Sequence, residues 1–266
     1  MDSLYRELAP ISDEGWAQLD DEAKTRLSRA LGARKVVDFS GPLGWQASST
    51  NLGRVGDRID APQDGVFARR RRVLPMAELR ADFTLSREEI DDIARGAVDT
   101  DLSALDEAAA RIATAENAAV LMGWDAVEFR GVGTGSTNAT ITRDDNSRRL
   151  AHYVARAVDE LARAGIDGPY ALAVDSPTWS EVLGGSDEGG SQMLSHLRNI
   201  LGGDIVWAPG VQGAVVLSQR GGDFLFESGR DLSLGYDSHT ADTVHLYLIE
   251  SFTFRVATPE AAVAIR

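Results

Sequence analysis

Eight residues have side chains that could do chemistry. They are four histidines (His152, His196, His239, His245), three aspartates beside glycines or turns (Asp175, Asp223, Asp231), and Glu250. No two histidines stand four apart or within two residues of one another, so a zinc site would need ligands from distant segments. The aspartates have the residue types for metal binding or acid–base work. Their Ser-Pro, Gly-Gly and Leu-Ser neighbours suit turns and caps equally well. Glu250 is the oddest. In "VHLYLIESFTFRV", steps of two put Val244, Leu246, Leu248, Phe252, Phe254 and Val256 on one face, with Glu250 among them. A carboxylate there must be paired, protonated or turned outward by a bulge. Arg80 and Arg130 are the expected partners, and a register-fixing ion pair is the expected role. There is no phosphate loop, no G-x-S-x-G elbow and no H-E-x-x-H helix. "GVGTGS" lacks the strand and helix context of a dinucleotide fingerprint. No catalytic set, metal or cofactor is expected.

The elements around these residues come next. The 266-residue chain is 43% hydrophobic, enough for a sizeable core. It has no cysteine, no apolar run of membrane-spanning length and an acidic start unlike a secretory leader, so a cytoplasmic protein is expected. A net charge of −14 disfavours nucleic acid. The run Arg69–Arg72 goes against that balance and reads as a solvated or salt-bridged segment. "SDEGWAQLDDEAKTRLSRALG" predicts an amphipathic helix capped by Ser12 and ended by Gly32. Residues 46–72 hold few large hydrophobes around the turn signal "DAPQDG". They predict a long β-hairpin with little core of its own, which must lie on its own domain or on a neighbouring subunit. Ser86 with Glu89, and Ser103 with Asp106, have capping-box spacing. The second opens an Ala-rich helix running to about Trp124, with Leu102, Leu105, Ala109, Ile112 and Ala119 as its packing stripe. After the loop at 131–143 the pattern becomes alternating α/β, and the chain closes on the long strand.

"LYRELAPIS", "DGPYAL" (167–172), "RGGDF" (220–224), "GRDLSLGY" (229–236) and "ESFTF" (250–254) stand in an order and spacing that resembles the encapsulin shell proteins over nearly the whole chain. The likeness is greatest to the actinobacterial, first-family members, relatives of which were once called linocin-like bacteriocins. The resemblance implies an α+β fold of the tailed-bacteriophage major-capsid type. A peripheral domain would comprise residues 1–42, 76–130 and 224–266, with an extended loop at 43–75 and an axial domain at 131–223. It implies a non-enzymatic protein whose copies close into an icosahedral shell of the simplest triangulation (T=1). The shell would enclose a dye-decolourising peroxidase or a ferritin-like iron-oxidising protein that carries a C-terminal targeting peptide.

The resemblance also implies two sites. The cargo peptide would dock against Leu27, Leu31, Arg34, Val36, Asp38, Asp231, Leu232 and Leu234, with apolar anchors on the leucines and valine and polar contacts to Arg34, Asp38 and Asp231. A pore loop at the five-fold axis would be "GGSDEGGS", Gly184, Gly185, Ser186, Asp187, Glu188, Gly189, Gly190 and Ser191. Its acids would favour cations and small neutral molecules. The alternatives are a phage major capsid protein, which would hold DNA, and an α/β hydrolase or protease with an unrecognised site.

Overall fold

A computed structural model describes residues 4–144 and 146–266. In chain order the elements are α1 (Asp13–Ala30), β1 (Asp38–Ser40), β2 (Ser49–Asp60), β3 (Phe67–Pro75), β4 (Ala77–Ser86), α2 (Arg87–Arg95), α3 (Ser103–Leu121) and α4 (Leu150–Arg163). There follow β5 (Tyr170–Val174), α5 (Ser176–Gly184), α6 (Met193–Leu201), β6 (Gly202–Trp207), β7 (Ala214–Ser218), β8 (Phe224–Ser228), β9 (Ser233–His239), β10 (Thr243–Val256) and β11 (Ala262–Ile265).

β10 organises the larger sheet. One edge pairs antiparallel with β4 from Thr243 to Phe252. The other edge is shared end to end: β9 takes Val244–Ile249 and β8 takes Phe252–Val256, with β1 added parallel outside β8. Two short neighbours on one side explain why this strand runs 14 residues, far above the usual five or six. From Leu246 to Phe254 every residue is buried, on both faces. On one side α3 packs against β4 and β10, and α1 packs on α3. The alanines Ala108, Ala109 and Ala113 are fully buried, because helix and sheet approach closely there. The expected stripe Leu102, Leu105, Ala109, Ile112 and Ala119 is buried throughout.

The second sheet has the order β11-β7-β5-β6 and carries α4, α5 and α6. β11 belongs here, paired with β7, so residues 262–265 cross from the β10 sheet to this one. The exchange is chemically reasonable, since Ala262–Ile265 is an apolar run buried on both faces, as a central-layer strand must be.

The third sheet is the β2–β3 ribbon alone. No residue of either strand is buried. The ribbon meets the larger sheet at its base, where Thr50 Oγ1 donates to Glu227 of β8, and buries no residue there.

Caps follow the sequence in part. Ser12 Oγ accepts from Gly15 N, and Asp175 accepts from Thr178 N at the start of α5. The two capping boxes do not close. Ser86 caps α2, but Glu89 accepts from Asp101 N instead of returning to Ser86. Asp101, not Ser103, supplies the side-chain acceptor before α3.

Candidate functional site

The carboxylates singled out by type resolve first. Asp175 accepts from Thr178 N and Gly213 N, both at 2.8 Å, and is a structural cap. Asp223 is buried and takes a two-pronged contact from Arg220 at 2.9 and 3.0 Å. His196, His239 and His245 bond Asp187, Tyr236 and Thr84 respectively. Among the described residues no group of three His, Asp or Glu could hold a metal, and no helix is long and apolar enough to cross a membrane.

Glu250 finds a different arginine from the two expected. Its Oε2 accepts from Arg34 Nη2 at 2.6 Å. Arg80 instead bonds Asp82 and Asp237 and lies over the Tyr247 ring, 3.9 Å from its centre. Register is the reason. Glu250 stands opposite Leu79 and Arg80 opposite Ile249, so Arg80 points from the other face of the sheet. Arg34 comes from the short helical turn after α1 and is shared three ways. Nε donates to Glu116 of α3 at 2.7 Å, and Nη1 to Asp231 at 2.5 Å. Its guanidinium also sits 5.1 and 5.2 Å from the Phe39 and Phe226 ring centres. Glu116 and Glu250 are fully buried, and each keeps one Oε1 without a hydrogen-bond partner. Burial, then the neighbouring Glu116, push the Glu250 carboxyl well above the ordinary glutamate range, against the pull of Arg34. For Arg34 burial works against the charge, yet Glu116 and Glu250 more than offset it and the guanidinium stays fully charged.

Arg34 reaches from this buried cluster into a surface groove of about 420 Å3. One wall is the C-terminal half of α1, with Ala23, Leu27 and Leu31. The other is the turn into β9, with Asp231, Leu232 and Leu234, and Leu248 of β10 lies behind. The segment before α1 folds over one end: Leu4 O accepts from Tyr236 N at 2.9 Å, and Arg6 binds Asp20 at 3.1 and 2.7 Å. Six of the eight residues expected to meet a peptide therefore converge here: Leu27, Leu31, Arg34, Asp231, Leu232 and Leu234. Two do not. Val36 is buried at 3% exposure in the other core cluster, and Asp38, the first residue of β1, accepts from Gly222 N at 2.7 Å outside the groove. Leu232 is half-buried, whereas Leu27, Leu31 and Leu234 are mostly covered by the protein's own core. Sequence reading missed Leu4, Arg6, Asp20, Lys24, Ser28 and Leu248. Helical spacing from Leu27 and Leu31 could have found Ala23, Lys24 and Ser28. Leu4 and Arg6 depend on a fold-back that no local pattern announces.

The Gly184–Ser191 loop is a turn closed by its own acid. Asp187 accepts from Ser191 N at 2.8 Å and meets His196 Nδ1 at 2.6 Å. Those contacts, the backbone one first, hold the Asp187 carboxyl below the ordinary aspartate range. Its charge is used inside the loop, and Glu188 is the acid left exposed.

Residues 1–253 match the family described as "Encapsulating protein for peroxidase". A type 1 encapsulin shell protein of Rhodospirillum rubrum is 45% identical over 271 aligned residues, covering 100% of this chain and 97% of that protein. The crystal structure of a virus-like particle from Pyrococcus furiosus superposes with a TM-score of 0.67 at 16% identity, covering 94% of this chain and 99% of the other. The capsid of Myoviridae phage XM1 superposes at 0.52 with 11% identity, over 86% and 89% of the two chains. The two structures carry the fold, which is that of phage capsid and virus-like particle subunits.

Proposed function

The chain belongs to the encapsulin shell-protein family, and from that premise we propose that its copies close into a hollow icosahedral shell of T=1 geometry that holds a cargo enzyme. The observation that carries this reading is the bare β2–β3 ribbon. Val55, Ile59, Val66, Phe67 and Val73 are all about half exposed on a two-stranded ribbon with no buried residue. Such a ribbon is marginal alone in water. Among the described residues, none of Arg69–Arg72 makes an ion pair, so four cations are left for carboxylates of an adjoining copy in an acidic particle.

The peripheral part comprises α1–α3 and the β10 sheet, the extended loop is the ribbon, and the axial part is the second sheet with β11 added. The cargo is a peroxidase or a ferritin-like protein in the cytoplasm. It docks by a C-terminal peptide in the groove between α1 and the turn into β9. Leu232 gives the peptide an accessible apolar contact, and Asp231 gives it an acceptor. At the five-fold axis Glu188, rather than Asp187, presents negative charge to an opening.

Size-exclusion chromatography with negative-stain microscopy tests assembly. Uniform hollow particles are expected, whereas a stable lone subunit at high concentration ends the reading, and DNA-filled particles point to a phage capsid. Leu232→Asp tests docking: particles should form normally and lose their cargo on mass spectrometry of the purified shells. Full loading of that variant removes the groove from the assignment.

A further inference from the structure

α1 has a second cleft, on the flank away from the peptide groove. One hollow of about 510 Å3 lies between α1, α3 and α5, and another of about 500 Å3 lies between the end of α1, α5 and β6. The two share Arg29, Trp179 and Trp207, so they form one crevice with an indole from α5 and an indole from the end of β6. Each hollow is of the size that takes a small organic ligand.

Two chemical features converge there. The first is aromatic: both tryptophans are half-buried, and Trp207 is oriented by its Nε1–H donating to Ser176 Oγ at 2.9 Å. The second is cationic. Arg29 and Lys35 line the crevice, and among the described residues neither makes an ion pair, in a chain with 41 acids to 27 bases. On that side one carboxylate, Asp204, bonded by Gln219 at 3.0 Å, stands against the two cations, and Lys35 Nζ also donates to the Arg29 carbonyl at 3.5 Å. The frame is fixed by a close approach: a Cβ at Gly32 would stand 2.3 Å from the Trp207 carbonyl, so the link between Arg29 and Lys35 presses directly on that tryptophan.

We propose that the crevice where Trp179 and Trp207 meet Arg29 and Lys35 binds a nucleoside phosphate. The indoles offer faces to a planar base, and the two cations take the phosphates. An acidic peptide would use the cations and leave both rings idle. The proposal uses one chain only and does not depend on cargo docking.

The test is tryptophan fluorescence of the protein as purified, titrated with ATP, adenosine or inorganic tripolyphosphate. ATP should quench saturably at micromolar concentration, with adenosine and tripolyphosphate each at least ~10-fold weaker. Arg29→Gln should weaken ATP by about 10-fold. Trp179→Leu should remove most of the quench while far-UV circular dichroism stays unchanged. Absence of saturable quenching by ATP overturns the proposal. So does tripolyphosphate binding as tightly as ATP, which marks a surface that reads charge alone, or an Arg29→Gln protein that binds ATP normally.

Discussion

The β10 sheet and the β2–β3 ribbon are both long antiparallel pairings, and they settle their side chains in opposite ways. β10 is buried on both faces for nine consecutive residues and draws Arg34 in from 216 residues away in sequence. The ribbon is built from neighbours in sequence, has a registered ladder, and buries nothing. Backbone pairing alone therefore does not decide where a strand's stability comes from. In β10 it comes from buried contacts within the chain, and the ribbon has none of these.

Arg34→Ala should have the largest effect on the subunit. It leaves Glu116 and Glu250 buried without their cation, and breaking a buried pair from one side costs about 3–5 kcal/mol. Denaturant unfolding followed by tryptophan fluorescence reads this directly. A loss below about 1 kcal/mol would mean that the protonated Glu250 donates to Glu116 and satisfies it without the arginine. The ribbon should behave the other way. Ile59 faces Ala68 and Phe67 faces Asp60, so the pair Ile59→Asp and Phe67→Asp puts a charge on each face. Because both sites are exposed, the folded subunit should change by no more than ~0.5 kcal/mol, yet particles should vanish from the chromatogram. A variant that still assembles would remove the ribbon from the shell contact.

Glu250→Gln sharpens the contrast through pH. The raised Glu250 pKa means that the folded state holds a proton the unfolded state releases above about pH 4.3. Since the unfolded chain binds fewer protons, this group's contribution falls as pH rises from there toward its folded pKa. Glutamine keeps a neutral group beside Glu116 and an acceptor for Arg34. The thermal midpoint of the variant should thus gain on the parent between pH 5 and pH 8. An identical gap at both pH values would show that Glu250 is ionised in the fold.

These regions also differ in how far the sequence reveals them. Period-two alternation from Val244 to Val256 announces β10, and the scarcity of large hydrophobes over 46–72 announces a ribbon without a core. The helical stripe of α3 is equally legible, since burial and periodicity are local properties. The partner of Glu250 is not. Arg80 lies on the adjacent strand and Arg34 at the other end of the chain, and only the register, with Glu250 opposite Leu79, separates them. The same limit explains the groove. Leu27, Leu31, Asp231, Leu232 and Leu234 line one groove, while Val36 and Asp38, only a few residues beyond Arg34, turn away because β1 leaves to join β8. The capping boxes fail for a related reason: Asp101 reaches Ser103 N and its own N–H engages Glu89, a competition that i-to-i+3 spacing does not encode.

The smallest effect should come from Asp187→Ala, in a loop that resembles the ribbon in exposure but closes on itself. Asp187 accepts from Ser191 N and meets His196, and its lowered pKa makes those contacts present above the ordinary aspartate range and lost as pH falls through the folded value. The loop is a surface turn, so the thermal midpoint should barely move. Local order should change instead: amide exchange across residues 186–192 should speed up in the variant, and in the parent protein it should speed up as Asp187 is protonated. If a particle forms and Glu188 alone supplies the charge at its opening, Asp187→Ala should leave cation entry close to the parent level and Glu188→Ala should reduce it. The reverse order would place Asp187 at the opening and show that its pairing with His196 gives way on assembly.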